Sequence, residues 1–160
     1  VSSEQRRIFM STQIDHPDYY SPDTVEVIDV IQAWHLDFAL GSALKYIARA
    51  GRKPGASKED DLRKAIWYLD FAANTDSIPR VNRDELLAGP SLFFPERVMM
   101  EWKLGHSGCA AIAGIWNALC SKTEPLSPRA RVRHLSEAIH ALKEEIGDEN
   151  AKSTEVSENQ

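Results

Sequence analysis

The sequence predicts an all-α protein, on three observations. Apolar residues recur at spacings of three and four, helix starts and stops bracket those runs, and no segment alternates apolar and polar residues as a half-buried strand would. The expected architecture is a compact domain of three helices over residues 16–75, then a C-terminal helical pair over 97–147. Residues 1–15 read as a flexible arm, 76–96 as a connector and 148–160 as a disordered tail.

The first helix is expected from "SPDTVEVIDVIQAW", with Ser21 as N-cap, Pro22 at the first helical position, and Asp23 and Glu26 near the positive end of the dipole. Val27, Ile31 and Trp34 recur at helical spacing, which outweighs the β-branched content. Asp37 can cap the second helix, whose stripe is Leu40, Ala43, Leu44, Ile47 and Ala48, and Gly51 stops it. "KPGAS" is a turn, Ser57 caps the third helix, and Leu62, Ala65, Ile66, Leu69, Ala72 and Ala73 form its apolar face. Pro79, Gly89, Pro90 and Pro95 break the next stretch into a connector with one short helical turn.

The fourth helix is expected from "ERVMMEWKLGHSGCAAIAGIWNALCSK", with Cys109, Ile112, Ala113, Trp116 and Cys120 in register; Gly105 and Gly108 kink it or admit a close backbone. The last opens at Ser127-Pro128, carries Val132, Leu135, Ile139, Leu142 and Ile146, and stops at Gly147. So narrow a seam suits one partner helix, within the chain or across a dimer, and a homo-oligomer is expected.

Composition is that of a soluble globular domain, 42% hydrophobic and 27% charged. The longest apolar stretch, near "CAAIAGIWNALC", is too short to span a membrane, and "VSSEQRRIFMSTQ" lacks a secretory leader's layout. Cys109 and Cys120, eleven positions apart on one helix, are too distant to bond, so reduced thiols and a cytoplasmic location are expected. The net charge of −5 is segregated. Ile8 to Leu44 holds six acids and no Lys or Arg, whereas Lys45 to Lys64 holds seven cations against three acids. A small phosphate-bearing ligand fits this better than nucleic acid, which is unlikely because a duplex needs a broad basic face.

Lys45 and Arg49 lie one turn apart, Arg52 and Lys53 follow at the helix exit, and the next helix offers its first N–H groups a few residues on. Phosphate oxygens suit such a hairpin; the alternative is a solvated face offset by Glu59, Asp60 and Asp61. The P-loop spacing is absent, so phosphoryl transfer would rely on side-chain cations and a metal. Glu26 with Asp29, Glu145 with Asp148, or Asp60 with Asp61 can hold Mg2+, although acids near helix N-termini commonly serve no ligand. His16, in "HPDYY", can act as acid or base, stack with Tyr19 and Tyr20 on a nucleobase, or be a plain loop histidine. His35, His106, His134 and His140 lack zinc spacing. Trp34, Trp67, Trp116, Tyr46 and Tyr68 read as core and core-edge residues rather than base-stacking platforms.

Taken in order, "HPDYY", "EVIDVIQAWHLDFALGSALKYIARAGRK" and "EDDLRKAIWYL" resemble a small bacteriophage domain family of formerly unknown function that includes the P-loop-less nucleotide kinase of a short-tailed coliphage. The resemblance covers residues 16–72. It implies phage origin, the infected host's cytoplasm, and action on nucleoside monophosphates. Its motif positions here are His16, Tyr20, Glu26, Asp29, Lys45, Tyr46, Arg49, Arg52, Lys53, Asp61, Lys64 and Tyr68, while His35 stands where glycine is expected. On the leading reading, a nucleoside monophosphate kinase, Lys45, Arg49 and Arg52 clamp the transferring phosphate and Asp61, with Glu26 or Asp29, places magnesium. His16, Tyr20, Tyr46, Lys53, Lys64 and Tyr68 meet the nucleotide. The alternatives are a protein that sequesters a nucleotide without turnover and an all-α nucleoside triphosphate pyrophosphatase, faintly echoed in "EEIGD" at 144–148.

Overall fold

The computed structural model describes residues 25–75, 77–120 and 126–158. The expected N-terminal arm, His16, Tyr20, and the Ser21 cap with Pro22 lie outside them. Among the described residues there are seven α-helices and no strand. They are α1 (Val27–Ala33), α2 (Phe38–Arg49), α3 (Lys58–Asn74), α4 (Arg83–Ala88), α5 (Pro95–Glu101), α6 (His106–Leu119) and α7 (Pro128–Glu158), with a 3₁₀ turn at Ser91–Phe93. No described helix is long and apolar enough to cross a membrane.

The first helix begins later than its sequence suggests: Val25 and Glu26 precede α1, and Glu26 has extended backbone angles without a side-chain cap. Asp37 and Ser57 cap α2 and α3 as expected, accepting from the Leu40 and Asp60 amides at 2.9 and 3.0 Å. Gly51 has φ +76°, the left-handed region that lets the chain leave α2. The connector is more ordered than expected, because Asn82 caps α4 and Pro95 takes the first position of α5.

The single long helix expected across 96–122 is two. Lys103 adopts φ +48°, and the amides of Lys103 and Leu104 close back on Met100 and Met99, the paired bonds of a Schellman stop. The last helix instead runs past Gly147 to Glu158, since a mid-helix glycine costs only about 1 kcal/mol and "DENAK" is mostly compatible with helix.

Four helices carry the core: α2 packs on α3, α3 on α7, α7 on α6, and α6 returns to α2. One hydrophobic cluster fills the ring, with Leu40, Leu44, Leu69, Ile112, Ile115, Leu135 and Leu142 fully enclosed. The seam on α7 is therefore spent inside the chain, against α3 and α6, rather than left for a second copy. On α6 the buried face centres on Ala111, Ile112, Ile115, Ala118 and Leu119, leaving Cys109, Ala113 and Trp116 at its edge. A helix apolar on most sides gives no unique stripe to read; Gly114 decides it, since a Cβ there would come within 2.8 Å of both the Ala138 Cβ and the His134 carbonyl on α7. Two tryptophans pin the outlying segments, Trp34 donating to the Phe93 carbonyl and Trp102 to the Val25 carbonyl, each at 2.7 Å.

Candidate functional site

The α2–α3 hairpin brings most of the described candidate residues to one face. Lys45, Tyr46 and Arg49 sit on α2, Asp61, Lys64 and Tyr68 on α3, and the two tyrosine rings stack with centroids 5.9 Å apart and planes 14° apart. Three cations approach Tyr46: Arg49 Cζ at 4.5 Å from the centroid, Lys45 Nζ at 4.7 Å and Lys64 Nζ at 5.7 Å. The spacing of these residues on two adjoining helices explains the convergence, because 45, 46 and 49 share one side of α2 while 61, 64 and 68 recur every turn of α3.

The members of this cluster are not equivalent. Arg49 is buried and turned inward, its Nη2 and Nε donating to Asp61 Oδ1 at 2.7 and 3.2 Å. Asp61 is wholly buried, and its Oδ2 has no hydrogen-bond partner. The pair therefore differs from the expected division of labour: Arg49 is a scaffold cation rather than an open phosphate clamp, and Asp61 is its counter-ion rather than an accessible metal ligand. Lys45 and Lys64 form no ion pair among the described residues, so their charge is available to an anion.

Arg52 leaves the cluster for α5, where its Nη2 donates to the Trp102 carbonyl; Nη1 is buried without a partner, and burial lowers the guanidinium pKa from its ordinary value. It ties the α2–α3 turn to the C-terminal half instead of meeting phosphate with Lys45. Lys53, partly buried, follows it in the same turn. Among the described residues no three His, Cys, Asp or Glu side chains come together as a metal group, so Glu26, exposed Asp29 and Asp61 do not share one. Glu145, from the fragment that echoes a pyrophosphatase helix, is paired with Lys58.

Several rings reach further than the sequence reading anticipated. Trp67, expected in the core or at its edge, is 60% exposed, and Phe38 and Phe71 are 80% and 44% exposed. Trp34 alone of the five aromatics assigned to core and core edge is fully enclosed, whereas Tyr46, Tyr68 and Trp116 are half-buried. The missed signal was positional: Trp67 and Phe71 each lie two residues from Leu69, about 200° around the helix from the buried stripe.

Residues 14–70, less than half of the chain, match a family described as a protein of unknown function, DUF3310. No curated protein and no solved structure matches the chain.

Proposed function

We propose that this chain binds a nucleotide on the Tyr46–Tyr68 face, its phosphate toward Lys45 and Lys64 and its base against the rings. The observation that carries this reading is the convergence of three cations on one ring, with Arg49 alone matched by a carboxylate among the described residues. Like charges so close repel, and the ring quadrupole offsets that only in part. A phosphate monoester carrying a charge of about −1.5 to −2 near neutral pH would offset the two lysines. The paired tyrosines supply a flat, half-buried surface of the kind on which a base stacks.

Of the three nucleotide readings, binding without turnover is the best supported. Asp61 is enclosed and turned to Arg49, and among the described residues it does not form a three-carboxylate group with Glu26 and Asp29. Phosphoryl transfer would need Asp61 released from Arg49 before it could place magnesium, whereas binding without turnover asks only for the cations and the rings. Calorimetry with deoxynucleoside monophosphates, with and without magnesium, tests the reading. Binding that survives chelation, weakens at least about tenfold in Lys45→Glu and in Lys64→Glu, and returns the ligand unchanged supports it. Failure of the wild-type protein to bind any mononucleotide refutes it, and a diphosphate product from a monophosphate and a triphosphate donor makes the protein a kinase instead.

A further inference from the structure

The stacked tyrosines belong to a longer chain of rings. Phe38 meets Tyr68 edge-on at 5.9 Å, Trp67 meets Tyr68 edge-on at 4.9 Å, and Trp67 stacks on Phe71 at 5.6 Å with planes 16° apart. Five aromatic side chains thus join across α2 and α3, four of them in the line Phe38, Tyr68, Trp67, Phe71 with Tyr46 branching from Tyr68, and Phe38, Trp67 and Phe71 are exposed. A mononucleotide covers one or two rings. It leaves Trp67, Phe71 and Phe38 without a purpose, although none of the three is needed to close the core.

Two grooves adjoin these rings, one beside Phe38 and one beside Trp67. One, of ≈ 270 Å³, is lined by Ile31, Leu36, Phe38, Gly41 and Lys45 among others. The other, of ≈ 570 Å³ between α3 and α7, is lined by Arg63, Ile66, Trp67, Asp70, Lys143 and Ile146. Each groove pairs an exposed ring with a lysine, and Lys64 stands beside Tyr46, the ring that Lys45 also approaches. Rings to stack on, with cations spaced along them, are the two parts of a single-strand site, which holds bases by their π-faces and tracks the backbone electrostatically.

We propose that this face binds a short single strand of nucleic acid, about three nucleotides long, with bases on the rings and phosphates at Lys45, Lys64 and Lys143. The inference rests on the reading that the Tyr46–Tyr68 face takes a nucleotide, and extends it along the surface. The overall charge of −5, which argued against a duplex, does not oppose it, since stacking carries most of the grip and few phosphates are neutralised. The same lysines disfavour a second copy of the chain on this face, because like charge would meet like.

Fluorescence anisotropy of labelled tetrathymidylate, competed with thymidine monophosphate, provides the test. The tetramer is expected to bind at least about tenfold tighter than the monomer. Phe71→Ala combined with Lys143→Ala, both at exposed positions away from the tyrosine pair, should erase that gain and leave the affinity for thymidine monophosphate unchanged. Equal affinities for tetramer and monomer overturn the single-strand inference while the nucleotide reading stands. A tightly bound tetramer with an unbound monomer does the reverse. Binding of neither, or self-association in sedimentation that Trp67→Ala abolishes, overturns the single-strand inference as well.

Discussion

Asp61→Ala should destabilise the fold by about 2–4 kcal/mol, and the figure follows from the buried pair. Arg49 is 6% exposed and Asp61 fully enclosed, and two of the arginine's donors, Nε and Nη2, converge on one oxygen, Oδ1. Removing one partner of a buried ion pair costs about 3–5 kcal/mol, because the other charge loses its buried counter-ion. Here the same change also removes Oδ2, an acceptor with no partner, and relieving that orphan returns about 1 kcal/mol. Urea denaturation followed by far-UV circular dichroism reads the difference. A double change, Arg49→Met with Asp61→Leu, should fall within about 1 kcal/mol of wild type, since an apolar pair of similar volume replaces the ionic one without an uncompensated charge. If Asp61→Ala costs less than about 1 kcal/mol, or the double variant is as unstable as the single, the pair does not hold α2 to α3. Asp61→Asn adds a functional reading: it keeps the shape, leaves the face more cationic, and should not weaken nucleotide binding. Loss of binding in a folded Asp61→Asn protein would return Asp61 to the site's chemistry.

His35 occupies the left-handed position of a Schellman stop, with φ +52° and its amide and that of Leu36 bonded to Gln32 and Ile31. His35→Gly should therefore raise stability by about 0.5–1 kcal/mol in the same denaturation assay. Gly114→Ala should cost about 1–3 kcal/mol, because the added methyl meets the His134 backbone carbonyl at 2.8 Å, whereas Gly147→Ala, with nothing within 4 Å, should gain about 0.5–1 kcal/mol. Burial pushes the Cys120 thiol from 9.0 up to about 11, against a smaller downward pull from Arg83. The folded chain then keeps a proton that the unfolded chain loses. This contribution to stability is whole below pH 9 and declines as pH rises toward about 11. A urea midpoint measured across that window should fall less steeply in Cys120→Ala.

Where a helix has one apolar stripe and a capping side chain, its sequence reads directly. Asp37 and Ser57 cap the helices they precede, and Leu40, Leu44, Leu62 and Leu69 are buried as their spacing demands. Legibility fails where tertiary contacts choose among equal local options. The α6 helix has apolar residues on most sides, so only the approach of Gly114 to α7 sets its rotation. The break at Trp102–Gly105 required Lys103 to take a positive φ, which its residue type does not announce. The α7 seam suits one partner helix equally well within the chain or outside it, and only the ring of four helices decides for α3 and α6.

The site divides along the same line. That cations and tyrosines share a face follows from their spacing on two joined helices, and the structure keeps Lys45, Tyr46, Lys64 and Tyr68 together. What spacing does not reveal is which charges are already answered, and here Arg49 and Asp61 answer each other. The aromatic residues carry the opposite lesson. Residue type alone sent Trp67 to the core or its edge, but its place, about 200° from Leu69 and one turn from Lys64, sets it among solvated positions. A solvated face can be filled by polar side chains at no cost to packing, so rings placed there, with lysines between them, are weighted toward what they bind. In this chain the angular position of an aromatic residue therefore says more about recognition than its identity does, and Trp67 and Phe71 are the residues on which that argument is tested.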